Sequence, residues 1–258
     1  MAQIIDENGL KYNFRFIVVE GPDGVGKSTI VTKICQAMMG NGVPYIKTHF
    51  PNHHIAPLDK DGTCWTVKSS VKQFLDGEVN IRYNPDAIAH LYTHDRLMTW
   101  FGENYQWETT DCLRNRVLKM CKDYPHTKAT PVLISDRYTQ SSVVYQSVDR
   151  LQSDWDSWRE DLESYEYNIL KLPKPDKIIY LDAPVEGIIE NIKLRGNGPD
   201  TFESDNQFLA DVCVAGRYHA LYGNWDSYEV MDRLGHFDPD IPDQICRDLG
   251  YHPDEERL

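Results

Sequence analysis

No apolar run in the 258 residues approaches the roughly 18 that a membrane-crossing helix needs. The opening stretch MAQIIDENGLKYNFRF has neither a basic n-region nor an apolar core, so no secretory leader is expected and the default address is cytoplasmic. Cysteine is sparse as well: Cys35, Cys64, Cys112, Cys121, Cys213 and Cys246 form no C-x-x-C pair, and a chain of this length can bury a core without staples. Reduced thiols are expected. Positive charge is in deficit, with 27 Lys and Arg against 40 Asp and Glu and a formal net charge of -13, so most of the surface repels a polyanion. A nucleic acid polymer is not an expected partner, and neither is a membrane. Internal repeats and low-complexity segments are missing, while 16 Gly and 14 Pro among 41% hydrophobic residues exclude collagen and disorder. A single domain over residues 1–258 is the expected organisation, with a frayed tail at about 252–258.

Short β-branched or apolar runs bounded by turn residues recur at 16–19, 44–48, 131–134, 177–181 and 228–231, and read as buried strands. Between them apolar residues recur at helical spacing, first Ile30, Ile34, Ala37 and Met38 before Gly40, then Val67, Val71, Phe74 and Leu75. Further helices fit 85–105, 110–122, 155–170, 184–194, 203–222 and 239–249. Strands alternating with helices require parallel crossovers, so the predicted fold is α/β: a five-stranded parallel sheet with helices on both faces. Ligands then belong at the carboxyl ends of the strands.

The segment Gly21-Pro-Asp-Gly-Val-Gly26-Lys27-Ser28 satisfies G-x-x-x-x-G-K-[ST], directly after the strand that ends near Glu20 and at the start of the next helix. Gly21, Gly24 and Gly26 permit a ring of inward backbone N–H groups, and the helix N-terminus adds positive potential. Lys27 is expected to bridge the β and γ phosphates of a nucleoside triphosphate, Ser28 to hold Mg²⁺, and Thr29 to complete the phosphate cradle. The run Val132-Leu-Ile-Ser-Asp136-Arg137-Tyr138 ends the third strand with an acid and a base at the same sheet edge. Asp136 is placed for Mg²⁺ or its waters, and the Arg137 fork suits an incoming phosphate, the lesser alternative being a plain structural ion pair between the two.

Taken in order, these motifs resemble the thymidylate kinase family, P-loop kinases of the nucleoside monophosphate kinase type. The resemblance runs through Asp23 in the phosphate loop, His49-Phe50-Pro51, Leu91-Tyr92-Thr93-His94-Asp95-Arg96, and Asp136-Arg137-Tyr138 with Ser141 and Tyr145-Gln146. It continues through Leu172-Pro-Lys-Pro-Asp176, Ile178-Ile-Tyr-Leu-Asp182 and a short lid at about 194–204 that leads to Phe208. It implies transfer of a phosphoryl group from ATP, with Mg²⁺, to a deoxypyrimidine monophosphate, most simply dTMP, in a homodimer. Phe50 and Tyr92 would wall the pyrimidine, Arg96 would donate to a base carbonyl, and Ser141 and Tyr145 would sit by base and sugar. Asp23 would meet the 3′-hydroxyl or a magnesium water, His49 the acceptor phosphate, and Arg137 and Arg195 would neutralise transferring charge beside Lys27.

The chain departs from that pattern at three places. Gly24 stands where many relatives carry an arginine, Thr201 replaces a lid arginine, and His49 occupies a position that is often permanently charged. Lys193 and Arg195 precede the lid turn, and Arg195 is the candidate replacement. Two alternatives stay open: a kinase of the same fold acting on a deoxynucleoside or a modified pyrimidine monophosphate, and a regulatory switch that only holds the triphosphate. His90 and His94 have zinc-compatible spacing but no evident third ligand, and His53-His54 reads as a solvated pair. Asp182 before Ala-Pro184 reads as a helix N-cap rather than a magnesium ligand. The aromatic segment with Trp155, Trp158, Tyr165 and Tyr167 fits either packing on the sheet or an interface.

Overall fold

Five parallel strands carry the predicted sheet in a computed structural model that describes residues 1–52, 54–55, 67–68, 70–75, 84–102, 112–124, 129–194 and 205–251. They are β2 (Lys11–Glu20), β3 (Tyr45–His49), β6 (Val132–Asp136), β7 (Lys177–Asp182) and β8 (Asp226–Glu229), in the order β3-β6-β2-β7-β8 with every neighbour parallel. Successive β2 side chains serve opposite faces, as period 2 requires. Ile17 and Val19 enter one core with Val132, Ile134, Ile179 and Leu181, while Phe14, Phe16 and Val18 enter the other with Leu133.

Helix α1 (Lys27–Gly40) and α9 (Ile241–Asp248) cover the first face, with α7 (Val185–Leu194). The second face is closed by α3 (Pro85–Phe101) and α4 (Leu113–Asp123). A third cluster joins α5 (Thr139–Ser147), α6 (Trp155–Glu163) and α8 (Asn206–Tyr222) around Tyr180, Trp155 and Trp225. Helix α3 starts where its sequence says it should: the Asn84 side chain accepts from Ala87 N at 2.9 Å, with Pro85 in the first turn.

Several elements differ from expectation. Strand β1 (Ala2–Ile5) adds an antiparallel partner to the first half of β2, turned by Asp6, whose Oδ1 accepts from Asn8 N and Leu10 N, and by Gly9 at φ +79°. Val67 is not helical. It pairs with Ile55 in a small hairpin of β4 (His54–Ile55) and β5 (Val67–Lys68), and the helix α2 begins only at Ser70 (Ser70–Leu75). The single helix expected over 155–170 changes pitch, α6 passing into a π-helical turn at Ser164–Ile169. Helix α5 was not foreseen. The frayed tail at 252–258 and the lid from residue 195 lie outside the described residues.

Candidate phosphate-transfer site

The phosphate loop fits only because three of its residues are glycine. A Cβ on Gly21 would lie 2.6 Å from Leu181 O, and one on Gly26, the N-cap of α1 at φ +94°, would lie 3.0 Å from Phe237. Gly24, at φ +87°, backs onto Ile188 and Ile192 of α7. Lys27 is buried within this ring, donating to Gly21 O at 3.0 Å and Pro22 O at 2.8 Å, with Asp23 Oδ1 at 3.8 Å. Burial and the nearby Arg137 push its ammonium down to about 8. Ser28 and Thr29 are exposed on the first turn of α1.

Beta-sheet register brings the residues expected on the acceptor side to the same edge. Val19, Asp136 and His49 are aligned across β2, β6 and β3, and Phe50 N donates to Asp136 O at 3.0 Å. Arg137 follows at φ 68°, a left-handed conformation rare for a residue with a side chain. Its backbone is pinned from both sides: Arg137 N donates to Val19 O at 2.9 Å, Ser135 Oγ to Arg137 O at 2.6 Å, and Tyr138 N to Glu20 Oε1 at 2.7 Å. The guanidinium is thereby turned onto the phosphate loop. Nη2 donates to Asp23 Oδ1 and to the Tyr145 hydroxyl at 3.3 Å, Nη1 donates to Ser141 Oγ at 3.2 Å, and the group lies 5.2 Å from the Tyr145 ring centre. Tyr145 donates in turn to Asp23 Oδ2 at 2.7 Å. Burial opposes ionisation of Asp23, but Arg137 and Lys27 outweigh it and hold this carboxyl well below the usual carboxylate range.

Glu20 was missed from the sequence. It is buried at the end of β2, accepts from Ser141 Oγ at 2.8 Å as well as from Tyr138 N, and burial raises its pKa despite Arg137. An acid closing an otherwise apolar strand was the available signal.

The residues expected around the base form a second layer. Phe50 packs 5.3 Å from Tyr138, which stacks on Tyr167 at 6.4 Å, and Tyr92 is half-buried on α3. Arg96 is 1% exposed and is largely committed to Glu166, which is fully buried. Nε donates to Glu166 Oε2 at 2.9 Å and Nη2 to Oε1 at 2.5 Å, while Thr93 and Thr139 hydroxyls donate to the same carboxylate at 2.6 and 2.5 Å. Nη1, with one long contact to Tyr138 O at 3.4 Å, is the edge with donor capacity to spare. Glu166 is therefore a second residue that sequence reasoning missed. It comes from the π-helical turn, which also brings Tyr167 against Tyr138, so this part of the aromatic segment packs into the core. Trp155 does the same, donating to Ser147 O at 2.8 Å.

Next to Arg96, Asp95 accepts from Asn52 N at 2.8 Å, tying the loop after His49 to α3, and its Oδ1 is buried with no partner among the described residues. Burial pushes its carboxyl up to about 6. His49 is exposed. The N-cap role expected of Asp182 is corrected: Arg217 Nε donates to both of its oxygens at 2.9 and 2.8 Å, so the carboxylate faces α8 instead of capping α7. Arg195, Thr201 and His53 lie outside the described residues. The described cysteines Cys35, Cys112, Cys121, Cys213 and Cys246 are buried and unpaired. No helix among the described residues is long and apolar enough to cross a membrane.

A phosphate loop at the carboxyl edge of a 2-3-1-4-5 parallel sheet, faced by an Asp-Arg pair from the neighbouring strand, defines a P-loop protein of the nucleoside monophosphate kinase type. No protein-family model matches the chain. Curated sequences do: a probable thymidylate kinase of Caldivirga maquilingensis is 27% identical over 197 residues, 76% of each chain. A probable thymidylate kinase of Sulfurisphaera tokodaii is 26% identical over 85% of this chain and 88% of its own, and a thymidylate kinase of Leptospira borgpetersenii is 25% identical over 73% of both. The chain is thus similar to thymidylate kinases over about three quarters or more of its length.

Proposed function

We propose that this chain transfers the γ-phosphoryl group of ATP to dTMP, giving ADP and dTDP. The observation that carries the reading is the Asp23–Arg137–Tyr145 cluster, which fastens a cation from β6 directly to the phosphate loop. A switch that merely holds a triphosphate needs no such acceptor-side cation. The relatives' names support the choice of thymidylate.

Within this reading Lys27 exchanges its bonds to Gly21 O and Pro22 O for β- and γ-phosphate oxygens, which raise its lowered pKa and keep it charged. Arg137 receives the acceptor phosphate, and Asp23 orients Arg137 while meeting the 3′-hydroxyl. Phe50 and Tyr92 wall the base, Ser141 and Tyr145 face base and sugar, and Arg96 presents Nη1 to a base carbonyl. Ser28 and Asp136 are hard oxygen donors, and Asp136 is close enough to act on the charge of Lys27 and Arg137. They suit Mg²⁺ carried on the triphosphate, which would supply charge neutralisation at the phosphates. His49 at the sheet edge meets the acceptor phosphate, Arg195 completes the cation set, and a cytoplasmic homodimer belongs to the same proposal.

ADP release measured against dTMP, dUMP, dCMP and thymidine tests it. Turnover fastest with dTMP is the expected result. Preference for thymidine would favour the deoxynucleoside alternative, and nucleotide binding without any transfer would favour the switch.

A further inference from the structure

Helix α7 does more than cover the sheet. Its Asn191 side chain reaches the phosphate loop, where Nδ2 donates to Gly24 O. The space behind that carbonyl is closed, since a Cβ on Gly24 would lie 2.8 Å from Ile192 Cγ1 and 3.2 Å from Ile188 O. The helix itself is fixed in place from its other side. A Cβ on Gly187 would lie 2.2 Å from Asp232 O, and one on Gly235 would lie 3.0 Å from Gly187 O and 3.6 Å from Asn191 N. Asn191 thus stands on a helix whose register is set by backbone-to-backbone packing.

A trans peptide points its C=O and the following N–H in opposite directions. Drawing Gly24 O outward to α7 therefore turns Val25 N–H to the opposite side of the loop. On that side its hydrogen bond among the described residues is a long one, 3.4 Å, to Pro22 O, the same carbonyl that receives Lys27 Nζ at 2.8 Å. Val25 N–H and the lysine ammonium consequently face one region, with the amide weakly engaged and able to donate to an anion.

We propose that Asn191 is a positioning residue for the donor phosphates, holding the Gly24–Val25 peptide so that Val25 N–H is presented beside Lys27. The inference rests on the phosphate loop holding a nucleotide, and not on which monophosphate is the acceptor. It also predicts an asymmetry between substitutions. Asn191→Ala frees the peptide, whereas Asn191→Asp opposes an anionic oxygen to Gly24 O and drives the peptide over.

The test is calorimetric binding of ADP and of inorganic pyrophosphate to the full chain, beside dTMP affinity and the melting temperature. Expected is a roughly fivefold to tenfold loss of ADP and pyrophosphate affinity in Asn191→Ala, a larger loss in Asn191→Asp, dTMP affinity within about twofold, and recovery in Asn191→Gln, which retains a donor. Unchanged ADP affinity in a folded Asn191→Asp, or equal losses for ADP and dTMP, would overturn the proposal. Should Asn191→Asp fail to fold, Asn191→Ala against Asn191→Gln decides alone: equal ADP affinities in the two would overturn it. Failure of the dTMP kinase reading shows separately, as normal ADP binding in the unmodified chain without turnover of dTMP.

Discussion

Arg137 balances three acids at once, and its removal has a calculable consequence. Asp23 accepts directly from it, while Glu20 and Asp136 act on it through space. In Arg137→Ala the acceptor phosphate loses a cation and meets carboxylates that, among the described residues, Lys27 still partly offsets. A unit charge pair at about 4 Å with an effective dielectric constant near 20 is worth about 4 kcal/mol. Allowing for water that re-enters the space, a loss of about 3 kcal/mol remains, roughly a hundredfold in kcat/KM for dTMP. Lys27 and the loop amides are untouched, so ADP affinity should change by no more than about threefold. Adding Asp23→Asn removes the unbalanced acid, and the double variant should recover about tenfold in dTMP affinity although Asp23→Asn alone is harmful. Steady-state kinetics with varied dTMP at saturating ATP, beside calorimetry with ADP, reads both effects. The reasoning fails if ADP binding collapses while the KM for dTMP stays put, or if the second substitution makes the first worse.

Lys27→Met should abolish transfer yet raise stability by about 2 kcal/mol at pH 7, because a lysine lowered to about 8 penalises the fold below that pH. The gain should fade as pH rises from about 8 towards 10.5, and melting curves at pH 7 and pH 10 check it. Asp95, raised from 3.8 to about 6, binds its proton more tightly in the native state, so its contribution is present at low pH and is lost as pH rises through 6. Urea unfolding should show Asp95→Asn removing about 2 kcal/mol of the stability difference between pH 4.5 and pH 7.5; parallel profiles for the two proteins would dismiss the assignment. Glu166→Gln should cost about 3 kcal/mol of stability by leaving Arg96 under-compensated. Its separate signature is a reduced preference for dTMP over dCMP at unchanged ADP affinity, which a purely structural carboxylate would not produce.

The sheet was legible because its strands are buried on both faces: 16–19, 131–134 and 178–181 are unbroken apolar runs, and such runs have few other uses in a chain with helices between them. The phosphate loop was legible for a different reason, since glycines at its turns and a lysine at the helix start are demanded by backbone geometry and phosphate charge together. Strand β1 escaped because it is four residues long with only Ile4 buried, so it makes no apolar run, although the turn at Asp6, Asn8 and Gly9 is a local hairpin signal. Helix α5 escaped because it is buried almost all round, so Thr139, Gln140, Ser142 and Ser147 break the apolar stripe that marks an amphipathic helix. Polar residues of the same helix line the candidate site. Thr139 binds Glu166, Ser142 accepts from Arg96, and Ser141 links Glu20 to Arg137.

Gly24 shows where residue identity alone misleads. As a position in a motif it reads as a lost charge, a place where an arginine ought to neutralise phosphate. In three dimensions it is a packing requirement: with φ at +87° and α7 within 2.8 Å of where a Cβ would be, a side chain at this place would force the helix off the loop. The glycine and the close approach of α7 belong together. In the proposed reading, neutralisation at the loop then comes from residues that approach from elsewhere, Arg137 after β6 and Arg195. In the proposed reading, a dependence of catalysis on these two arginines follows from how tightly α7 is packed, and it can be separated experimentally from the choice of acceptor.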